Sequence, residues 1–225
     1  MALIEIRGIT KTHIEKSGVR TEALRGIDLT VNEGDFLSIA GPSGSGKTTL
    51  LNIIGALDSP TSGTVLFDGI DIGNTPTARL ADLRLKKVGF VFQAYNLFNT
   101  LTAIENIEYI MVLQAKPPFE ARKTAKALLE RVGLSAHGDK QVNRLSGGEQ
   151  QRVAVARALA SGPKVILADE PTANLDSRTA ANLIDLMREL NIEKNVTFIF
   201  STHDKIVMDK ATRLVLLKDG KILNG

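Results

Sequence analysis

The stretch Gly41-Pro42-Ser43-Gly44-Ser45-Gly46-Lys47-Thr48 constrains this chain more than any other part of it. It matches G-x-x-x-x-G-K-[ST] in full, a pattern whose meaning depends on its surroundings. Before it, Phe36-Leu37-Ser38-Ile39-Ala40 reads as a short buried strand. After it, Leu50, Leu51, Ile53, Ile54 and Leu57 recur with helical spacing, so the segment from Gly46 to Ala56 reads as a helix. Strand, glycine loop and helix together make a phosphate cradle. The glycines let the backbone curl so that successive N–H groups point inward, and the helix start adds its positive end. Lys47 is placed to reach the β- and γ-phosphates and Thr48 to offer a hydroxyl to Mg²⁺. Gly41, Pro42, Ser43, Gly44, Ser45, Gly46, Lys47, Thr48 and Thr49 are therefore the expected phosphate-binding residues.

A second site feature lies further along. Val165-Ile166-Leu167-Ala168 reads as a buried strand running directly into Asp169-Glu170-Pro171. Two carboxylates at the end of such a strand are costly unless a cation compensates them. Asp169 is expected to hold the Mg²⁺ shell through water, and Glu170 to orient and deprotonate the attacking water.

The remaining chain has an alternating plan. Strands are expected at Ile4 to Thr12, Leu24 to Val31, Thr64 to Asp68, Val88 to Phe92, Val196 to Phe200 and Leu214 to Leu217, with polar turns at Lys16-Ser17-Gly18 and Asn32 to Asp35. A helix is expected from Ser177 to Leu190, and another after Ser146 to about Ala160. Thr102 to Gly133 reads as two helices separated at Pro117-Pro118. Strands alternating with helices imply an α/β fold with a mainly parallel sheet, and the helical block 94–160 interrupts that alternation as an inserted lobe.

Composition removes several other classes. With 225 residues, 43% apolar and 24% charged, the chain is ordinary globular material. A net charge of +3 is weak for nucleic acid as the main ligand. The absence of cysteine leaves neither disulfides nor thiolate metal sites. The N-terminal Met1 to Arg7 lacks the features of a signal peptide, and no apolar run approaches the ~20 residues of a membrane span. A membrane role would have to come through a partner.

Leu145-Ser146-Gly147-Gly148-Glu149-Gln150-Gln151-Arg152 singles out one family. Ser146 and Glu149 fit a capping box at a helix start, while the two glycines leave room for an anion there. Here the chain strongly resembles the ATP-binding-cassette (ABC) ATPases, whose signature is L-S-G-G-[EQ]-x-x-R. The resemblance extends over nearly the whole chain in the family's order. Gln93 resembles the Q-loop glutamine, a Mg²⁺ and water contact; Ala173-Asn174-Leu175-Asp176 resembles the D-loop at the dimer seam; His203 resembles the switch histidine at the γ-phosphate.

The resemblance implies a P-loop NTPase core with an antiparallel β portion near the N-terminus. The core would comprise 1–93 and 161–225, and the helical lobe 94–160. It also implies ATP and Mg²⁺ as ligands, with Lys47, Gln93, Glu170 and His203 catalytic, and Thr48, Gln93 and Asp169 at the metal. Two subunits would pack head to tail, each ATP lying between Lys47 of one and Ser146, Gly147, Gly148 and Glu149 of the other, with Asp176 at the seam. Where the family carries an aromatic that stacks on adenine, this chain has His13, which either stacks or simply faces solvent on its strand.

Tyr95 and Phe98 follow Gln93 directly, where the family has a groove for a short helix of the membrane subunit; they either line that groove or pack the lobe. The segments Gly55 to Gly63 and Gly89 to Leu97 are most similar to the ATPases of macrolide-export and lipoprotein-releasing systems and the related cell-division ATPase. A polytopic membrane permease partner at the cytoplasmic face of the inner membrane is therefore expected, with no regulatory domain after Gly225. A force-transmitting switch that moves no cargo is the alternative. No coiled-coil insertion, second cassette or N-K-x-D motif is present to suggest chromosome-organising, translational or small-GTPase relatives.

Overall fold

The computed structural model describes residues 1–14 and 18–224. Of the polar turn expected at Lys16-Ser17-Gly18, Lys16 and Ser17 lie outside the described residues. Two long strands, β1 (Ala2–Ile14) and β2 (Arg20–Asn32), precede β3 (Phe36–Ala40) and helix α1 (Lys47–Ile54). Strands β4 (Ser62–Phe67) and β5 (Ile70–Asp71), helix α2 (Thr77–Lys87) and strand β6 (Val88–Phe92) follow. The helical block holds α3 (Ala103–Leu113), α4 (Pro118–Arg131) and α5 (Gly147–Ala160). The chain then alternates through β7 (Val165–Asp169), α6 (Ser177–Lys194), β8 (Thr197–Thr202), α7 (Lys205–Lys210), β9 (Arg213–Lys218) and β10 (Lys221–Asn224).

These strands form two sheets. One is antiparallel, in the order β2-β1-β4-β5; the other runs β10-β9-β3-β8-β7-β6 and is parallel from β9 to β6, with β10 antiparallel at its edge. Every residue of β3 and of β8 is buried, as strands covered on both faces must be. Successive residues serve opposite cores with period two. Phe36, Ile166, Ala168, Phe198 and Phe200 pack with α5 and α6. Leu37, Ile39, Val165, Leu167 and Ile199 pack with α1 and the antiparallel sheet. The expected mainly parallel sheet, antiparallel portion and helical lobe are all present.

Helix α5 belongs to two neighbourhoods. Its apolar residues share one continuous core with α3, α4 and the α6 face of the parallel sheet. It can lie close to β6 because Gly89 has no side chain: a Cβ there would come within 2.7 Å of the Ala158 carbonyl oxygen. Helix α3 starts with a reciprocal capping box between Thr102 and Glu105. Pro118 then occupies the first turn of α4, where the missing N–H costs nothing.

Two α-helices and two strands lack a counterpart in the sequence reading. Helix α2 buries only Leu80 and Leu83, too few apolar positions to set a period. Helix α7 and strands β5 and β10 are six, two and four residues long, shorter than a pattern needs.

Gly89→Ala tests the α5–β6 approach. It is expected to lower stability by about 1–3 kcal/mol through overpacking, read as a reduced urea midpoint with unchanged slope.

Candidate nucleotide site

The loop Gly41–Gly46 leaves β3 at the end of the parallel sheet and enters α1. Two of its glycines are required by close approach. A Cβ on Gly41 would meet the Leu217 carbonyl oxygen at 2.0 Å, and one on Gly46 would meet the Ala23 carbonyl oxygen at 2.5 Å. Gly46 also has φ of 103°, a conformation open chiefly to glycine. No side chain caps α1, so its first-turn N–H groups are left for an anion. Ser45 Oγ is buried without a hydrogen-bond partner.

Lys47 is only 7% exposed and folds over its own loop, donating to the carbonyls of Gly41 (2.8 Å) and Pro42 (3.0 Å). Its Nζ is 3.9 Å from Glu170 Oε1. The same carboxylate oxygen lies 2.9 Å from His203 Nδ1, and Thr202 Oγ1 donates to Oε2 at 3.3 Å. Glu170 holds φ at 46°, a left-handed conformation that costs about 1–3 kcal/mol for a non-glycine residue. Its N–H donates to the Ser201 carbonyl at 2.8 Å. The turn after β7 thus aims this carboxylate between a lysine and a histidine.

Asp169 Oδ1 accepts from Thr48 Oγ1 at 3.1 Å. Gln93 follows β6 directly, with its carbonyl accepting from Asn174 Nδ2 at 3.0 Å. A cavity of about 420 Å³ joins Ser43, Gly44, Gly46, Lys47, Thr48, Thr49, Gln93, Glu170 and His203. Gly41, Pro42, Ser45 and Asp169 are not part of its lining; the first two hold Lys47 through their carbonyls, and Asp169 meets Thr48. Thr21, Glu22 and Ala23 of β2, together with Ala173, complete the wall. Sequence reasoning missed the three β2 residues, because β2 reaches the loop only by folding of the antiparallel sheet over it.

His13 is exposed and pairs with Thr21 across β1 and β2, one strand away from the lining residue. The signature residues also sit apart from the cavity lining. Ser146 caps α5: its Oγ accepts from Glu149 N at 3.4 Å, while Glu149 Oε2 accepts from Ser146 N at 2.7 Å and Oγ at 2.8 Å. The backbone and side-chain hydrogen bonds from Ser146 hold the Glu149 carboxyl below its ordinary value. Gly147 lies against the Tyr95 hydroxyl, with 2.8 Å left for a Cβ, and Gly148 against Thr179 Cγ2, with 2.6 Å. Asp176 caps α6, accepting from the N–H of Arg178 (3.1 Å) and Thr179 (3.0 Å). The two caps therefore form one patch, distinct from the loop cavity.

Thr48, Asp169 and Gln93 would offer a hydroxyl, a carboxylate and an amide oxygen. That oxygen set suits Mg²⁺, which keeps several waters and takes phosphate oxygens as further ligands. Among the described residues no group of three His, Cys, Asp or Glu side chains could hold a metal alone. No helix there is long and apolar enough to cross a membrane.

Fold and cavity together define a P-loop nucleoside triphosphatase. A family model described as ABC transporter matches residues 24–173. The lipoprotein-releasing system ATP-binding protein LolD 1 of Rhodopseudomonas palustris is 47% identical over 221 residues, covering 98% of both chains. A macrolide export ATP-binding/permease protein MacB of Syntrophobacter fumaroxidans is 46% identical over 99% of this chain, which spans 31% of that longer protein. A dimeric post-hydrolysis structure of the ATP-binding cassette MJ0796, bound to ADP and Pi, superposes with a TM-score of 0.90. It is 42% identical and covers 98% of this chain and 97% of that one. The chain belongs to the ABC transporter family, as one of its ATP-hydrolysing cassettes.

The Ser146–Glu149 cap has a pH signature. A carboxyl held low in the folded state stabilises it above the unfolded value, and that stabilisation is lost as pH falls through the folded value. Glu149→Ala is therefore expected to cost about 1 kcal/mol near neutrality. The difference should shrink below about pH 4, as denaturation of both proteins across pH would show.

Proposed function

We propose that this cassette works as a pair, the two chains packed head to tail around two ATP molecules and driving a membrane-embedded permease. The observation that carries this reading is the separation of the two phosphate-binding features. Gly147 and Gly148, whose N–H groups the Ser146 side chain does not take up, are not among the residues that line the loop cavity. A nucleotide seated in one chain's loop can meet the α5 N-terminus of a second chain. The solved MJ0796 structure, described as dimeric with ADP and Pi, supports that arrangement.

In this reading Lys47 leaves its carbonyl partners for the β- and γ-phosphates, whose oxygens replace them. Glu170, already fixed by the backbone of Ser201 and by Thr202 and His203, accepts the proton of the attacking water. His203 contacts the γ-phosphate and that water. Thr48, Gln93 and, through water, Asp169 would hold Mg²⁺, which would supply neutralisation of charge on the phosphate oxygens. Ser146, Gly147, Gly148 and Glu149 close the site from the second chain, with Asp176 at the seam. Hydrolysis removes the γ-phosphate contacts and loosens the pair, giving two states with different contacts, as a ligand-driven switch requires.

The core, 1–93 with 161–225, and the helical lobe, 94–160, are taken as the parts that move relative to each other. Gln93, tied to Asn174, lies at their junction. The names of the relatives favour export or extraction of a substrate, with the cassette peripheral at the cytoplasmic face through its partner. An apolar groove of about 330 Å³ between α2, β6, α3 and α5, rimmed by Leu57, Phe98, Tyr109 and Leu113, supports docking of a membrane-subunit helix.

Glu170→Gln keeps the shape of the site and removes the proton acceptor. It is expected to bind ATP, lose about 10²–10⁴-fold in turnover and accumulate as a dimer on size exclusion with ATP. Brisk turnover by this variant would remove Glu170 from the role of base.

A further inference from the structure

Glu22 stands in the wall of the nucleotide cavity with no duty in the chemistry described above. Among the described residues that lining holds two carboxylates, Glu170 and Glu22. Glu170 serves the γ-phosphate end, beside Lys47 and His203. Glu22 comes from β2. A second acid in the wall of a triphosphate site repels the charge of its own ligand. That repulsion is a net cost unless the carboxylate meets a donor on the ligand.

The backbone turns Glu22 toward the cavity. Across β1 and β2, Thr12 pairs with Glu22 and Lys11 with Leu24, so Ala23 is an extra residue between two paired ones. A bulge of this kind re-aims side chains beside a site. A regular strand would turn alternate residues away, whereas Thr21, Glu22 and Ala23 all reach one cavity. The bulge is held in place by close packing: a Cβ on Gly46 or Gly220 would meet the Ala23 carbonyl oxygen at 2.5 or 2.8 Å. Glu22 Oε2 lies 3.3 Å from Arg25 Nε, with both side chains about half exposed. An exposed pair of this kind is weak and leaves the carboxylate available to a ligand.

The order of the wall sets which part of a nucleotide Glu22 meets. Ala23 abuts the loop at Gly46, where α1 begins. Glu22 is one residue further from the loop, and Thr21, paired with His13, is one more. At about 3.3 Å per residue, the group that follows the phosphates comes beside Glu22, and the base comes beside Thr21 and His13. The group that follows the phosphates is the ribose. Its 2′- and 3′-hydroxyls are neutral donors on adjacent carbons, and the two oxygens of one carboxylate can accept from both in short, charge-assisted hydrogen bonds.

We infer that Glu22 accepts hydrogen bonds from the ribose hydroxyls of the bound nucleotide and makes the cassette selective for nucleotides that carry the ribose diol. This rests on the seating of the phosphates on the Lys47 loop and adds the sugar contact. With the diol present, the hydrogen bonds offset the repulsion between Glu22 and the phosphates. A sugar without hydroxyls meets the repulsion alone.

The test compares kcat/KM for ATP and for 2′,3′-dideoxyATP in the parent and in Glu22→Ala. Crossing a side chain with the ligand group it touches isolates their contact, and a merely structural effect of the substitution lowers both nucleotides alike. The parent is expected to prefer ATP by about tenfold or more, the scale of a hydrogen bond to a charged group. Glu22→Ala is expected to bring that ratio close to one. Glu22→Gln, which keeps an acceptor oxygen without the charge, is expected to fall between. The ratio of ATP to inosine triphosphate, which differs in the base, should be the same in Glu22→Ala as in the parent.

Equal kcat/KM for the two sugars in the parent, or a parental preference that survives in both variants, overturns the inference. A Glu22→Ala protein that keeps the sugar preference but shifts the ATP to inosine triphosphate ratio assigns Glu22 to the base, and overturns it as well. These outcomes leave the phosphate seat intact. Lys47→Ala is expected to abolish turnover of every nucleotide; turnover that survives it overturns the seat and the inference together.

Discussion

The phosphate loop is pinched between two sheets, and much of the molecule is arranged around that contact. Gly41 lies against the Leu217 carbonyl of the parallel sheet and Gly46 against the Ala23 carbonyl of the antiparallel sheet, both too close for any side chain. The curl of the loop is therefore fixed from two sides before any ligand arrives. Preorganisation of this kind matters for phosphoryl transfer, where positioning and charge neutralisation supply most of the catalysis. Lys47 fills the nest meanwhile, its ammonium held by the loop's own carbonyls.

The carboxylate Glu170 is fixed with comparable firmness. Its left-handed backbone, its N–H bond to Ser201 and its contacts with Thr202 and His203 over-determine one orientation. Strain persists where surrounding structure enforces it. Here the enforcement comes from the adjacent strand β8, which carries Ser201 and Thr202. The parallel register of β7 and β8, with Asp169 opposite Ser201, brings the end of β7 and the turn after β8 to the same edge as the loop.

Much of this was legible in the sequence because its signals are local. A glycine loop between an apolar strand and a helical pattern, two acids at a strand end, and a Ser-x-x-Glu cap each announce themselves within eight residues. The Ser146–Glu149 capping box is present as read. Long-range contributions were not legible. Thr21, Glu22 and Ala23 line the cavity only because β2 folds over the loop, and nothing in their identity marks them. Helix α2, with two buried leucines, had too weak a period. Arg157 read as part of a helix pattern, yet its contacts with Tyr95 and Asn96 span 62 and 61 residues of sequence.

One consequence of the layout is that α5 joins three regions. Its N-terminus carries the signature cap, its middle is buried in the core shared by lobe and sheet, and its last turns line the groove. In the arrangement proposed above, this helix joins the proposed docking groove to the end that would meet a second chain's phosphates. The account stands or falls on that end serving a second chain's nucleotide. The direct measurement is ATPase activity on mixing two inactive variants, Lys47→Ala and Ser146→Arg. A mixed dimer would hold one site with an intact loop from one chain and an intact signature from the other. Recovery of turnover on mixing is predicted; two variants that stay inactive while forming mixed dimers with ATP would contradict a shared site.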